Sequence, residues 1–372
     1  MLINFEKTKK NIFFYLSGKY HFDMFYNIFA LNKDIEFFIY SKNISKDDFL
    51  RSKLVKLENV IFTKDIENIL YKALSFGCFI STELQAARPH DYSLKIASLF
   101  KLLNIPVVEI QHGLFQLGYS YQSLPVRDRF YSDSIAIEGF SDYSLLYYNM
   151  ETSKKYQVIG FPEYIKKSTK TIIKKKDTYT LILSNMHWDA YDIEEKYRFY
   201  YSVIKFVENS SDKLFIWKLH YGETFANNKK IINEIMGMFP KAKEKILFAN
   251  DNDMLKNISV SELIVKSKSI ISTVSTVLLN CEMYKRPTYI YESKSVKCLI
   301  DKIEKKTTFK NLDELKEVFE KDDKANLNSG LLIEYDNNKF IDFINDVYKE
   351  QEQKQDTLQN ILETIEYIKN LK

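Results

Sequence analysis

The sequence predicts an α/β protein made of two Rossmann-like, doubly wound domains that face each other across a cleft. Three observations predict it. Short apolar runs alternate with helix-period stretches along the chain, which is the pattern of parallel strands wound with helices. That rhythm stops in a Lys-rich stretch near residues 165–177 and then restarts. Finally, 372 residues, 45% of them hydrophobic, exceed one ordinary core and suffice for two.

In the first half, strands are read at Ile12–Leu16, Ile35–Tyr40, Cys78–Ser81, Val107–Ile110 and Ser134–Glu138. In the second they are read at Thr180–Ser184, Leu214–Leu219, Lys245–Phe248, Ile270–Thr273 and Thr288–Tyr291. The helical stretches between them include Ser93–Leu103, Glu194–Val207, Ile231–Met238 and Val274–Tyr284. Gly160-Phe-Pro162 closes the first half with a turn signal. The chain thus divides into an N-terminal domain over 1–165, a C-terminal domain over 178–345 and a terminal helix over 346–372. In that helix Ile361, Leu362, Ile365, Ile368 and Leu371 stand at helical spacing opposite a mixed polar face. Such a helix packs on the body or on a second subunit, forming a homodimer, in preference to a membrane.

Composition removes several classes of partner. A net charge of +4 with no dense basic stripe argues against nucleic acid. Lys166, Lys167, Lys170, Lys174, Lys175 and Lys176 read as a solvated connector ahead of a membrane-facing patch, which would give peripheral association. Three cysteines without a CxxC pair suggest a reducing, cytoplasmic setting and no zinc site. The basic start at Lys7–Lys10 and the apolar run after it resemble a signal peptide, but the run is too short and reads as a first strand. No apolar run is long enough to span a bilayer. Dinucleotide, P-loop, nucleophile-elbow and HExxH signatures are missing. Asp251-Asn-Asp253 resembles a metal-diphosphate motif but lacks the strand context and reads as a turn. No metal or other cofactor is expected.

Polar clusters stand directly after the carboxyl ends of the predicted strands, where open α/β sheets bind ligands. Four of the five histidines fall there: His21, His112, His187 and His220. Gln111-His112-Gly113 is the sharpest of these clusters. Its glycine permits a turn and lets a ligand approach the main chain, and His112 could act as a general base on an acceptor hydroxyl or donate to a phosphate. A turn histidine bonded to backbone is the competing account. Thr273, Ser275 and Thr276 occupy the step into a helix expected near Val274, a place for a phosphate, or else for simple N-capping. His220 could meet a donor phosphate or ribose, and Glu223 could accept from ribose hydroxyls. Asn185 is a further nucleotide-binding candidate, while His187 and Asp189 read equally well as structural. On the acceptor side stand Ser17, His21, Gln111, Gly113 and Tyr119, with Glu83 and Glu109 as candidate catalytic acids.

The segment Val108-Glu-Ile-Gln-His-Gly-Leu-Phe115 with Gly118-Tyr119, and then Val158-Ile-Gly-Phe-Pro162, resembles bacterial GT-B glycosyltransferases of capsule and surface-polysaccharide synthesis. Lys218-Leu-His220 is similar to their Lys-x-His-Pro motif, and Ile271–Thr276 to their Ser/Thr pair, with Lys285-Arg-Pro287 after the helix. The nearest groups are the sialyl-, polysialyl- and Kdo-transferases, with CDP-glycerol polymerases close by. The resemblance implies a nucleotide-sugar donor, CMP-linked in preference, held by His220, Ser275 and Thr276. It implies a glycan or glycolipid acceptor near Gln111–Gly113, and work at the inner face of the membrane. Tyr221 stands where the motif has proline. The rival readings are a CDP-glycerol-type polyol-phosphate transferase, a nucleotide-sugar 2-epimerase, and a non-catalytic assembly partner of the same fold.

Overall fold

A computed structural model describes residues 10–72, 75–84, 91–103, 105–110, 134–137, 155–164, 179–187, 191–224, 226–301, 303–321 and 327–349. The chain forms two compact units. Residues 1–165 and 333–372 make the first, and residues 166–332 the second.

The first unit holds seven strands: β1 Lys10–Tyr15, β2 Ile35–Tyr40, β3 Val60–Thr63, β4 Cys78–Ser81, β5 Val107–Ile110, β6 Ser134–Ile137 and β7 Lys155–Val158. They pair in the order β3-β2-β1-β4-β5-β6-β7, all parallel. The central strand β1 explains the apolar run: Ile12, Phe13 and Phe14 have no exposed surface because both faces of the sheet are covered. Alternate side chains serve opposite faces. Phe13 stacks with Phe79 and Phe100 at 5.3 and 5.4 Å, while Phe14 meets Phe25 and Phe29 at 5.8 and 5.4 Å. Each buried phenyl contributes about 1.5–3 kcal/mol.

The chain returns to this unit at residue 333, not at 346 as the sequence reading placed it. Phe161 N donates to Ile333 O at 2.9 Å and Tyr335 N to Tyr164 O at 3.0 Å. Backbone bonding claims the segment before its helix begins, a signal that side-chain periodicity does not carry. Gly160 makes the crossing feasible. Its φ is +79°, and a Cβ there would lie 2.2 Å from Glu334 O. Residues 337–349 are helical and bury Phe340, Phe343, Ile344 and Val347. The tail residues Ile361–Leu371 and the Lys-rich stretch 166–176 lie outside the described residues.

The second unit holds β8 Thr180–Ser184, β9 Phe215–Leu219, β10 Ile246–Phe248, β11 Ser269–Ser272, β12 Thr288–Tyr291 and β13 Thr307–Phe309. Their order is β10-β9-β8-β11-β12-β13, again all parallel. Both units therefore run outward in two directions from their first strand, the doubly wound arrangement of a Rossmann-like domain. The helix Ile193–Asn209 starts where Asp192 accepts from Glu195 N at 2.7 Å, and Glu194 and Glu195 in its first turn suit the positive end of the helix dipole. Its face of Phe199, Tyr200, Val203, Ile204, Phe206 and Val207 is buried. Among the described residues no helix is long and apolar enough to cross a membrane.

Candidate active site

Each sheet reverses its strand order beside its first strand, β1 next to β4 and β8 next to β11. Loops leaving the carboxyl ends of such a pair splay apart, and ligands bind in the crevice between them. Among the described residues, Ser17 and His21 follow β1, Thr82 and Glu83 follow β4, Asn185 and His187 follow β8, and Thr273, Ser275 and Thr276 follow β11, while His220 and Glu223 follow the neighbouring β9.

In the second unit the crevice between β8 and β11 is bridged by side chains. Asn185 N donates to Thr273 Oγ1 at 3.0 Å, Thr273 Oγ1 donates to Asn185 Oδ1 at 2.5 Å, and Asn185 Nδ2 donates to Val274 O at 2.8 Å. Both residues are buried. Expected as nucleotide ligands, they join two strand ends. The following helix begins at Val277 and not near Val274, so residues 273–276 form the step before it. Ser275 and Thr276 lie half-buried at this step. Thr276 is the N-cap and makes no side-chain capping bond.

Next to the bridge, β8 and β9 deliver two histidines. The rings of His187 and His220 stack face to face, 4.1 Å between centroids and 1° between planes. His187 is half-buried and His220 is exposed. Gly222 N donates to His220 Nδ1 at 3.1 Å, so the proton of the neutral ring sits on Nε2. A Cβ on Gly222 would come within 2.3 Å of His187 Cδ2, so glycine leaves the space in which that ring lies. Burial lowers the pKa of His187 to about 3, with the second ring adding to the effect. His220 is lowered to about 4 by the desolvation of its enclosed part, even though some of its ring reaches solvent.

Glu223 fixes both loops from below. It has no exposed surface. Its Oε2 accepts from Ser184 Oγ at 3.0 Å and from His220 N at 2.9 Å, and its Oε1 accepts from Tyr200 Oη at 2.8 Å. A further bond comes from the Met186 backbone. Trp217 Nε1 donates to Ser184 Oγ at 2.9 Å and closes the network. Burial raises Glu223 to about 7 against the opposing pull of these hydrogen bonds. The sequence reading gave Glu223 a ribose. The structure turns it inward, where it positions the loops that carry the two imidazoles. Asp251 and Asp253 pair with Lys229 and Lys256 at 3.2 and 2.6 Å, as expected of a surface turn.

In the first unit Ser17 lies half-buried after β1, its carbonyl accepting from Asn43 Nδ2 at 3.4 Å. His21 is buried and closes the turn by accepting Gly18 N on Nδ1 at 3.3 Å, its ring 4.0 Å from that of Tyr20. Glu109 is buried at the end of β5 and accepts Leu84 N at 3.4 Å. Glu83 is half-buried on the loop after β4, its amide donating to Ser81 Oγ at 3.1 Å and its carbonyl accepting from Ser93 Oγ. Its charge adds to the burial that raises the Tyr15 hydroxyl. Of these two residues, Glu109 has no exposed surface and Glu83 keeps part of its surface open to solvent. Gln111, His112, Gly113 and Tyr119 lie outside the described residues.

No sequence-family profile matches the chain, and no curated protein matches it in sequence. Solved structures do resemble it. The UDP-GlcNAc 2-epimerase from Methanocaldococcus jannaschii superposes with a TM-score of 0.57 at 14% identity, over 90% of this chain and 99% of that one. The wall teichoic acid polymerase TagF, as its H444N variant, gives 0.52 at 14% identity, over 94% and 90%. Anabaena Alr3699/HepE in complex with UDP-glucose gives 0.52 at 10% identity, over 94% and 99%. Identities this low carry the fold alone. With two parallel sheets of Rossmann order in one chain, that fold is the GT-B type.

Proposed function

We propose that this protein is a nucleotide-sugar-dependent glycosyltransferase whose second unit holds the nucleotide at the carboxyl edge of β8, β9 and β11. The observation that carries the reading is the exposed His220, its proton directed to Nε2 by Gly222 and its loop held by a buried carboxylate. A preorganised donor of this kind stabilises charge developing on a leaving phosphate without reorganising at the moment of reaction. Ser275 and Thr276 stand one loop away and supply hydroxyls to the same anion. The fold likeness to HepE, crystallised with UDP-glucose, supports a nucleotide sugar as donor.

In this reading His112 orients or deprotonates the acceptor hydroxyl, and Glu83, half-buried on the loop after β4, is the candidate catalytic carboxyl group. The donor favoured from the sequence is a CMP-sugar, and the acceptor a surface glycan or glycolipid. A thermal-shift panel of CMP, CDP, UDP and GDP tests the nucleotide half, because a ligand that binds only the folded form raises its melting temperature by mass action. No shift with any of the four would overturn the reading.

The likeness to the Methanocaldococcus jannaschii enzyme favours a second reading, a nucleotide-sugar 2-epimerase. Incubation with UDP-GlcNAc alone separates the two, since an epimerase converts it without an acceptor. The likeness to TagF favours a CDP-glycerol transferase, which would add phosphorus to the acceptor.

A further inference from the structure

We propose that His187 and His220 form one anion-binding unit, which receives a phosphate dianion at its open edge and takes up a single proton on His187 as it does so. The inference rests on the reading of the second unit as the nucleotide half and extends it to a residue that reading leaves idle.

The two rings are not equivalent. Gly222 N–H points at Nδ1 of His220, and an added proton there would set two N–H groups against each other. His220 therefore stays neutral and presents Nε2–H to an anion. His187 has the opposite surroundings. It hydrogen-bonds the Asn185 backbone, a contact that favours its charged form. Parallel stacking at 4.1 Å lets the neutral ring shield an imidazolium through its π face. A second proton would place two like charges at that separation, so the uptake stops at one.

The charged and titratable groups around the pair agree with this order. Lys196, on the helix Ile193–Asn209, opposes charge on His187 in the free protein. Glu223 faces Ser184, Tyr200 and the backbone of His220, so its carboxylate does not neutralise either ring directly. Without an anion, burial keeps both rings neutral at pH 7, and the neighbouring ring and Lys196 add to that effect on His187. An arriving dianion reverses that balance. The proton comes from solvent, and no bond to phosphorus forms or breaks in this step.

The test uses the full-length protein labelled with 15N-histidine, the five imidazoles being assigned from single His→Asn variants. UDP is titrated at pH 7. The expected result is that His187 changes from the neutral to the imidazolium nitrogen shifts, while His220 keeps its Nε2–H tautomer. In parallel, UDP affinity should fall about fivefold or more between pH 7 and pH 8.5, as a bound proton requires. In His187→Phe, which keeps a flat ring, and in His187→Gln, binding should weaken about tenfold and lose that pH dependence. UDP binding with His187 still neutral and a flat pH profile would overturn the proposal and leave the nucleotide reading standing. If CMP, CDP, UDP and GDP all fail to bind, the nucleotide reading falls and inorganic phosphate decides the pair. Charging of His187 by phosphate sustains it, and unchanged shifts end it.

Discussion

Exchanging Glu223 for Gln removes a titrating group from the interior of the second unit while keeping its shape. The carboxyl group moves from 4.5 in the unfolded chain to about 7 in the folded one, with burial as the main cause. At about 1.4 kcal/mol for each pKa unit, that displacement corresponds to about 3 kcal/mol of stability. The sign follows from proton counting. Between 4.5 and 7 the folded state binds the proton more tightly, so the contribution is whole below 4.5 and is lost as the pH rises through 7. Glutamine has no such loss. At pH 5 both side chains are neutral, both can meet Ser184, Tyr200 and the His220 amide, and the variant should lie within about 1 kcal/mol of wild type. By pH 9 the wild type alone has given up its 3 kcal/mol, so the variant should equal or exceed it.

Urea unfolding at pH 5, 6, 7, 8 and 9 measures the difference. Tryptophan fluorescence follows the right unit, because the chain's two tryptophans, 188 and 217, both fall between residues 166 and 332. All other titrating groups cancel between the two proteins. Stability profiles that stay parallel within about 0.5 kcal/mol would refute the reasoning, since the carboxyl group would then not titrate near neutrality in the fold. Alanine in place of glutamine should behave differently, costing about 3 kcal/mol or more at every pH by leaving the buried donors of Ser184 and Tyr200 without an acceptor.

Gly160→Ala should destabilise the first unit by about 2–4 kcal/mol, from a left-handed backbone and a collision with Glu334 O, and an unchanged melting curve would contradict the crossing described above. Thr273→Val should cost about 1–3 kcal/mol in urea unfolding by leaving the buried Asn185 amide unsatisfied, with Thr273→Ser restoring most of it. His187 and His220 titrate below their unfolded value of 6.5, so their contribution is whole above about 6.5 and is lost as the pH falls toward 4. The double variant His187→Asn/His220→Asn should flatten that limb of the stability profile. His112→Ala should lower sugar transfer by orders of magnitude with the circular dichroism spectrum intact, and near-normal turnover would remove His112 from the mechanism.

How far the sequence was legible depended on burial. Ile35–Tyr40, Cys78–Ser81, Val107–Ile110, Thr180–Ser184 and Thr288–Tyr291 carry the same bounds in the structure as in the sequence reading. These strands lie inside their sheets, where two covered faces force a continuous apolar run. The strands the sequence did not announce are Val60–Thr63, Lys155–Val158 and Thr307–Phe309, and each is the edge of a sheet. An edge has one neighbour and more water, so Gln157 and Thr307 are tolerated there and the apolar signal fades, although the edge strand β10 was legible at Lys245–Phe248. The site shows the same division. That His187, His220 and Glu223 follow strand ends was readable from spacing. That Glu223 points inward was not, because three residues of loop offer no periodicity from which to assign a face. The one trace of the stack in the sequence is Gly222, two residues after His220.

The way the crevice of the second sheet is closed bears on where chemistry can occur. At β8 and β11 the crevice that strand reversal creates is spanned by the Asn185–Thr273 bonds, both residues buried. A ligand cannot enter there without breaking them. Residues that keep part of their surface exposed stand on either side of that bridge, His187 and His220 toward β9 and Ser275 and Thr276 after β11. An anion resting over the bridge would meet donors from both flanks, and the bridge would fix their separation by tying the loops at their roots. Rigidity at the crevice and reach at its rim are therefore one arrangement. Loosening Thr273 should weaken nucleotide binding as well as stability, even though its hydroxyl touches no ligand. If Thr273→Val bound nucleotide as wild type does while losing the expected stability, the bridge would be a matter of folding alone.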